Sequence, residues 1–187
     1  MGKAKRLGFV AVVLAVALAL GATGAGGANG TSGVPAGEGV GMYTDSSTAN
    51  QASTFTINRK LVTCGVGGVD VAGPGTGPFE MLMFSTRIDS YSVNPATKEI
   101  DARGEMRSIT RLGGNVLEDV RHPFIALAVD LDGDESQPRT DRFDVHFKTP
   151  FWQPGNPLCT PSTRFPGLCR FGGVLIAGNI NVRAGHH

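Results

Sequence analysis

Apolar side chains recur at every second position over most of the chain from Ser53 onward, and this alternation limits the fold most strongly. The clearest case is Phe143, Val145 and Phe147, which alternate with charged or polar neighbours. Such a pattern places the apolar side chains on one face of a β-strand. No window of helical length after residue 28 shows an apolar period of 3.6 residues. The chain is therefore predicted to be all-β.

Glycine- and proline-rich turns divide this region into about eight short strands. Asn94-Pro95-Ala96 and Gly113-Gly114 each separate two alternating segments, which predicts hairpins over residues 86–103 and 105–121. We expect a mostly antiparallel β-sandwich, because the longest strands keep one polar face, and a small β-barrel is the alternative. One face of the last strand is expected to carry four apolar side chains: Val174, Ile176, Ile180 and Val182.

The first 28 residues have the three-part pattern of a secretory signal peptide: basic residues, an apolar run and a zone of small residues. The apolar run from Leu7 to Leu20 is shorter than the roughly 20 residues of a membrane-spanning helix. Residues 29–52 are poor in large apolar groups and are expected to form a flexible leader. We therefore expect residues 53–187 to form a single secreted, extracellular all-β domain, without a stable membrane anchor after cleavage.

The charge balance argues against nucleic acid as a partner. Residues 1–28 hold three of the 17 Lys and Arg residues and none of the 16 Asp and Glu residues. The remaining chain thus has a formal charge of about −2, without the basic excess that a phosphate backbone requires. One group of residues is interpreted as charges on a solvated sheet face: Arg103, Arg107, Arg111, Glu105, Glu118 and Asp119.

The three cysteines are interpreted in the oxidising setting that export provides. Cys159 and Cys169 flank a short loop with two prolines and a glycine, and we predict a disulfide between them. Closing so short a loop stabilises the fold by roughly 2–3 kcal/mol in the loop-entropy treatment. Cys64 is then left over, either as a buried free thiol or as an intermolecular link.

An acidic segment carries Asp130, Asp132 and Asp134 at alternate positions around a glycine, with Asp141 further on. The four carboxylates resemble the start of an oxygen-rich calcium loop. The glycine, however, is in the fourth rather than the sixth place, and Pro138 interrupts the segment. A solvated turn is the preferred interpretation, with calcium as the alternative and no other cofactor expected.

Phe151 and Trp152 lie side by side in a proline-rich loop. The preferred interpretation is that these rings plug one end of the fold, as large aromatic residues usually do. The alternative is an exposed platform that binds a sugar ring or an apolar partner.

His122 and His146 are interpreted as two surface histidines. The alternative is a catalytic or metal-binding pair, with nearby acids assembled by the fold in the catalytic case, although the spacing of the two histidines fits no close-range ligand motif. The convergence of His146, Asp144 and another polar group in one cleft would favour an enzyme. A flat polar sheet with an exposed Trp152 would favour binding. The sequence contains no nucleophile elbow, zinc-protease motif or phosphate-binding glycine loop.

Three segments of the C-terminal half resemble the post-COAP family of secreted bacterial β-domains. They are Gly104-Glu105-Met106, residues 140–145 and residues 172–182. The last segment is similar to that family's closing strand, a glycine pair followed by an apolar strand with a Gly-Asn-Ile core. The resemblance covers about residues 97–183, and the loop 149–171 departs from it. It implies an extracellular all-β module without established catalysis, and it indicates no active-site residues.

Together these observations predict a secreted, non-catalytic binding or structural module. Its expected partner is cell-wall carbohydrate or another secreted protein. One alternative is a hydrolase or lyase that acts on an extracellular polymer. The other alternative is a calcium-stabilised adhesion module.

Overall fold

In the residues that it describes, the computed structural model contains nine β-strands and no helix. It describes residues 35–45, 51–70, 78–131, 140–156 and 159–184, and the predicted signal peptide, residues 1–28, lies outside them. Within these ranges no helix has the length and apolar character needed to cross a membrane. The strands are β1 (Ala36–Asp45), β2 (Gln51–Ile57), β3 (Val62–Asp70), β4 (Pro78–Asn94), β5 (Glu99–Leu112), β6 (Asn115–Val129), β7 (Arg142–Phe147), β8 (Thr160–Pro161) and β9 (Cys169–Arg183).

The strands form a closed antiparallel barrel. Strands β1 to β7 are neighbours in chain order, β9 pairs with β7, and β1 pairs with both β2 and β9. Eight strands close the barrel, and the short β8 pairs with the start of β9. The all-β prediction is confirmed, but the barrel, not the sandwich, is the architecture. Alternation with one polar face cannot separate the two, because a closed barrel also turns one face of every strand to solvent.

Strands β4, β5 and β6 form a long meander that contains both predicted hairpins. Gly113 and Gly114 make the second turn with φ values of 56° and 82°, as a two-residue turn of type I′ requires. Segments predicted as separate strands are continuous here, and register shifts interrupt the pairing of β4 with β5. Gly104 lies opposite one of these shifts, where an added Cβ would collide with the carbonyl oxygen of Arg87. Turn-like residues inside these strands therefore mark bends, not strand ends.

Strand β1 lies in the segment predicted as a flexible leader, residues 29–52, and that prediction is corrected for residues 36–45. The backbone of β1 bonds to neighbours on both edges, so this strand closes the barrel. An added Cβ on Gly39 would collide with the side chain of Ile180, and Tyr43 is fully buried. A glycine-rich strand is stable here because side chains from other strands fill the space beneath it.

Aromatic and aliphatic side chains fill the barrel interior. Phe55 of β2 stacks on Phe143 of β7, a strand that is not its neighbour, with 4.3 Å between ring centroids. Cys64 lies inside as a buried thiol outside the disulfide, with its Sγ 3.2 Å from the hydroxyl of Tyr43. The interior is therefore a packed core, and functional clefts must be sought on the outer wall.

The last strand turns its apolar side chains to opposite faces in its two halves. Leu175 and Ile180 are buried, whereas Val174 and Ile176 are 45% and 51% exposed. The change follows a bulge in the pairing of β9 with β1, close to Gly178 with φ of 92°. The prediction of one shared apolar face is wrong because the bulge shifts the two-residue alternation by one position.

Candidate functional site

A cleft of about 290 Å³ lies on the outer wall of the barrel; we call it the wall cleft. Its floor comes from β6, β7 and β9. Phe143, Val145 and Phe147 fill the interior, so the residues that alternate with them on β7 face outward. Residues of the neighbouring strands β6 and β9 lie directly opposite these outward-facing positions of β7. The floor thus combines residues from three strands: Leu127, Arg142, Asp144, His146 and Arg170.

The loop between Cys159 and Cys169, here called the disulfide loop, forms the cover of the wall cleft. The predicted disulfide is present, and both cysteines are buried. The loop is also held by the pairing of β8 with β9 and by the N–H of Ser162, which donates to the carbonyl of Leu168 at 2.8 Å. The covalent bond and the backbone hydrogen bonds fix the loop against the wall.

Two side chains of the disulfide loop complete the wall cleft. Phe165 presents its ring edge-on to the imidazole of His146, with 4.9 Å between centroids. Arg164 reaches across to β5 and donates two hydrogen bonds to the carboxylate of Glu99, at 2.8 and 3.0 Å. The loop therefore shields His146 from solvent and brings a further cation to the rim.

Among the residues that the structure describes, three arginines and two carboxylates give the wall cleft about one positive charge. Arg142 Nε donates to Asp144 Oδ2 at 2.6 Å, and Arg170 Nη1 lies 3.7 Å from Asp144 Oδ1. The third arginine, Arg164, is paired with Glu99. Two carboxylates thus balance the charge of two of the three guanidinium groups. The remaining positive charge attracts an anion.

His146 is buried in the wall cleft without a hydrogen-bond partner. It is 2% exposed, and in the described part of the chain neither of its ring nitrogens is bonded. The buried Nε of Arg170, its cross-strand partner, also has none. Burial, and then the positive charges of Arg170, Arg164 and Arg142, lower the pKa of His146 from 6.5 to about 4. The imidazole is therefore neutral near pH 7, with one N–H donor and one acceptor nitrogen.

This lowered pKa makes stability depend on pH. Between about pH 6.5 and pH 4 the unfolded chain protonates His146 and the folded chain does not, so stability is lost as the pH falls through this window. The loss amounts to up to roughly 3 kcal/mol. We expect urea unfolding midpoints to decline less steeply with acidification in His146→Gln than in the original protein. In His122→Gln the urea midpoint should decline with acidification almost as steeply as in the original protein. Equal slopes in His146→Gln and the original protein would contradict the lowered pKa of His146.

His122 lies inside the barrel, on the opposite side of the wall from His146. Its Nδ1 lies 3.0 Å from the carbonyl oxygen of Pro123 and must donate there, which leaves Nε2 to accept from the Ser108 hydroxyl at 2.5 Å. Burial lowers its pKa. Both histidines are buried and not at the surface as expected, and the fold does not bring them together.

Trp152 plugs one end of the barrel. It is fully buried, its Nε1–H donates to the hydroxyl of Thr110 at 3.1 Å, and its ring packs edge-on against Phe171 and Phe79. The ring of the half-buried Phe151 lies 5.0 Å away. The plug interpretation is confirmed. The aromatic platform of Phe151 and Trp152 is corrected, because a side chain inside the core presents no face to a ligand.

Glu118 anchors the loop that carries Trp152. It is 8% exposed and accepts hydrogen bonds from the hydroxyl of Thr149 at 2.7 Å and the N–H of Phe151 at 3.0 Å. Its interpretation as a charge on a solvated face is wrong, since Glu118 lies opposite Thr110, on the face of the sheet that the buried Trp152 contacts, and the loop folds over it.

The two ends of the acidic segment are tied to the backbone. Asp141 is fully buried, and its carboxylate accepts the N–H groups of Leu131 at 3.0 Å and Ile180 at 2.9 Å. The carboxylate of Asp130 accepts the N–H of Val182 at 3.2 Å. These bonds hold β9 beyond its bulge, where its pairing with β7 has ended.

Asp132 and Asp134 lie outside the described residues. Among the residues that are described, no group of three or more His, Cys, Asp or Glu side chains could hold a metal ion. The calcium loop built on Asp130, Asp132, Asp134 and Asp141 stays a prediction.

Sequence reasoning missed the three arginines of the wall cleft. A usable signal exists on β7, where Arg142, Asp144 and His146 share one face at two-residue spacing. This face was interpreted as solvated because the sequence does not show that the disulfide loop folds over it.

Comparison of the chain with protein-family models, curated proteins and solved structures finds no match in any of the three. The resemblance of residues 97–183 to the post-COAP family stays a prediction. The function must therefore be inferred from the wall cleft itself.

Proposed function

We propose that this chain is a secreted, non-catalytic binding module whose wall cleft holds a negatively charged group of an extracellular carbohydrate or of another secreted protein. The observation that carries the proposal is the buried imidazole of His146 next to Nε of Arg170, neither of which has a hydrogen-bond partner among the described residues. Each such atom costs on the order of 1–3 kcal/mol when it is left unsatisfied. An acidic ligand would accept hydrogen bonds from both groups and would neutralise the remaining positive charge.

The groups in the wall cleft favour binding over catalysis. Asp144 is held between Arg142 and Arg170, so its carboxylate serves as a fixed counter-charge. His146 is neutral near pH 7, and a pKa of about 4 makes it a weak base. General acid–base catalysis is most effective when the pKa of the catalytic group lies near the working pH, and the pKa of His146 lies well below it.

A second candidate is a lyase that acts on an acidic polymer, because His146, Asp144 and the arginines converge in one cleft. In that reaction His146 would take the proton from the carbon next to the carboxylate. A carbon–carbon double bond would form as the carbon–oxygen bond on the neighbouring carbon breaks, and the departing sugar oxygen would take up a proton from water. Ultraviolet absorbance of an unsaturated product from polygalacturonate would identify a lyase, and binding without this product would identify a binding module.

Small anions are expected to raise the melting temperature of the protein, because a ligand that binds only the folded state stabilises it. At ten times the Kd the gain is about 1.4 kcal/mol, or about 3–6 °C for a domain of this size. The measurement is a thermal melt with acetate or sulfate, with chloride at equal ionic strength as the reference.

Two arginine variants make this measurement specific to the wall cleft. In Arg170→Gln the melting temperature with acetate or sulfate should be no higher than with chloride. Arg107→Gln removes an exposed arginine that is paired with Asp119 elsewhere on the barrel, and it should keep the full shift. Equal shifts in Arg170→Gln and the original protein would contradict the proposal.

A further inference from the structure

We infer that the wall cleft takes a hydroxylated monocarboxylate, a sugar ring with one carboxylate of the uronic-acid class, in preference to phosphate or sulfate. This inference rests on the proposed function and specifies its ligand. Three properties of the cleft carry it: its charge, the hydrogen-bonding capacity of His146, and its size and lining.

The charge of the wall cleft matches a single negative charge. Arg142 and Arg170 share Asp144, and Arg164 is held by Glu99, so the described residues carry about one positive charge. A monoanion neutralises it. A dianion would leave an excess negative charge close to the buried carboxylate of Asp144, which is unfavourable where water is scarce.

The neutral imidazole of His146 needs a ligand that both accepts and donates hydrogen bonds. One ring nitrogen carries a proton and can donate to a carboxylate oxygen, while the other can only accept. Sulfate or a fully ionised phosphate offers acceptors alone and would leave that nitrogen unsatisfied. A hydroxyl on the same ligand donates to it, so a hydroxylated carboxylate satisfies both atoms.

The guanidinium of Arg170 is arranged for a carboxylate. Its Nη1 lies toward Asp144, while its buried Nε has no hydrogen-bond partner within the part of the chain that the structure describes. The Nε edge of a guanidinium presents two parallel N–H groups, and this fork fits the two oxygens of a carboxylate. A carboxylate at this edge would also lie beside His146, the cross-strand partner of Arg170.

Size and lining agree with a single sugar ring. The volume of about 290 Å³ lies at the lower end of the range for small-molecule pockets, roughly 300–1,000 Å³. Leu127 and Val129 offer an apolar floor, and the hydroxyl of Thr163 is on the covering loop. The apolar face of a sugar ring fits the floor, and its hydroxyls can reach the polar rim.

The test is isothermal titration calorimetry of the whole protein with four probes at constant ionic strength: galacturonate, galactose, acetate and sulfate. Galacturonate has both the carboxylate and the hydroxyls, galactose lacks the carboxylate, and acetate lacks the hydroxyls. We expect galacturonate to bind at least tenfold more tightly than each of the other three. Thr163→Val, at an exposed loop position, should weaken galacturonate severalfold and leave acetate unchanged.

Variants separate this inference from the function on which it rests. Arg170→Gln should abolish binding of every anion, and Arg107→Gln should change none, with far-ultraviolet circular dichroism used to verify the fold of each. Equal affinities for galacturonate, acetate and sulfate that all depend on Arg170 would overturn the uronic-acid inference and leave the anion cleft standing. No binding of any anion would overturn both.

Discussion

Trp152→Ala is expected to destabilise the barrel by about 3–5 kcal/mol, the range for emptying a large aromatic site in a core. The indole contacts rings from β4, β7 and β9, and its N–H bonds to Thr110 on β5. Alanine would leave a cavity between these four strands and would leave the Thr110 hydroxyl without this donor. The measurement is urea unfolding followed by far-ultraviolet circular dichroism.

Two companion measurements make the Trp152 result decisive. Gln153→Ala changes the exposed neighbour of Trp152 and should alter the unfolding free energy by less than about 0.5 kcal/mol. The chain has one tryptophan, so its emission should be blue-shifted and insensitive to a polar quencher. A cost below about 1 kcal/mol for Trp152→Ala, or emission that is readily quenched, would place the indole outside the core.

Replacing both disulfide cysteines, Cys159→Ser with Cys169→Ser, is expected to remove roughly 2–3 kcal/mol of stability and most of the anion affinity. The second effect is specific to this fold, because the disulfide loop carries Arg164 and Phe165. Without the covalent closure, Phe165 no longer shields His146, and the pKa of His146 moves back toward its ordinary value. Thermal melts with and without acetate measure both effects.

Reduction provides the matched control for the cysteine pair. A phosphine reductant should lower the melting temperature of the original protein and should leave the double serine variant unchanged. Cys64 is buried in the core and takes no part in the disulfide, so reduction should not alter it. If acetate raises the melting temperature of the double variant as much as that of the original protein, the wall cleft does not need the closed disulfide loop to bind anions.

The two-residue alternation was sufficient to predict an all-β chain and both central hairpins. It could not decide between sandwich and barrel, because closure depends on the pairing of β1 with β9. Glycine-rich β1 resembles a leader in composition, since it contributes backbone bonds and little apolar surface. The bulge in β9 reversed the expected faces of Val174 and Ile176 for a similar reason: local irregularity of backbone pairing leaves little trace in the sequence.

The disulfide was predictable from the spacing of its cysteines, but the site was not. Prediction of the wall cleft requires knowing that the disulfide loop folds onto the outward face of β7. That contact depends on tertiary packing, such as the edge of Phe165 against His146 and the reach of Arg164 to Glu99. Trp152 shows the reverse case, since its size alone favoured burial.

Strand β7 contributes one face to the core and the other to the wall cleft. Its inward residues Phe143, Val145 and Phe147 belong to the core, while its outward residues Arg142, Asp144 and His146 line the wall cleft. A rigid strand with a packed inner face holds polar side chains in fixed positions, which is the arrangement that a pre-organised binding site needs.

The central claim is that an acidic ligand occupies the wall cleft next to His146. The most direct measurement is a long-range ¹H–¹⁵N spectrum of the histidine ring nitrogens during a titration with galacturonate at constant pH and ionic strength. We predict that both ring nitrogens of His146 shift with saturation, while those of His122 inside the barrel stay unchanged. Ring nitrogens of His146 that do not move at ligand concentrations that raise the melting temperature would contradict the claim.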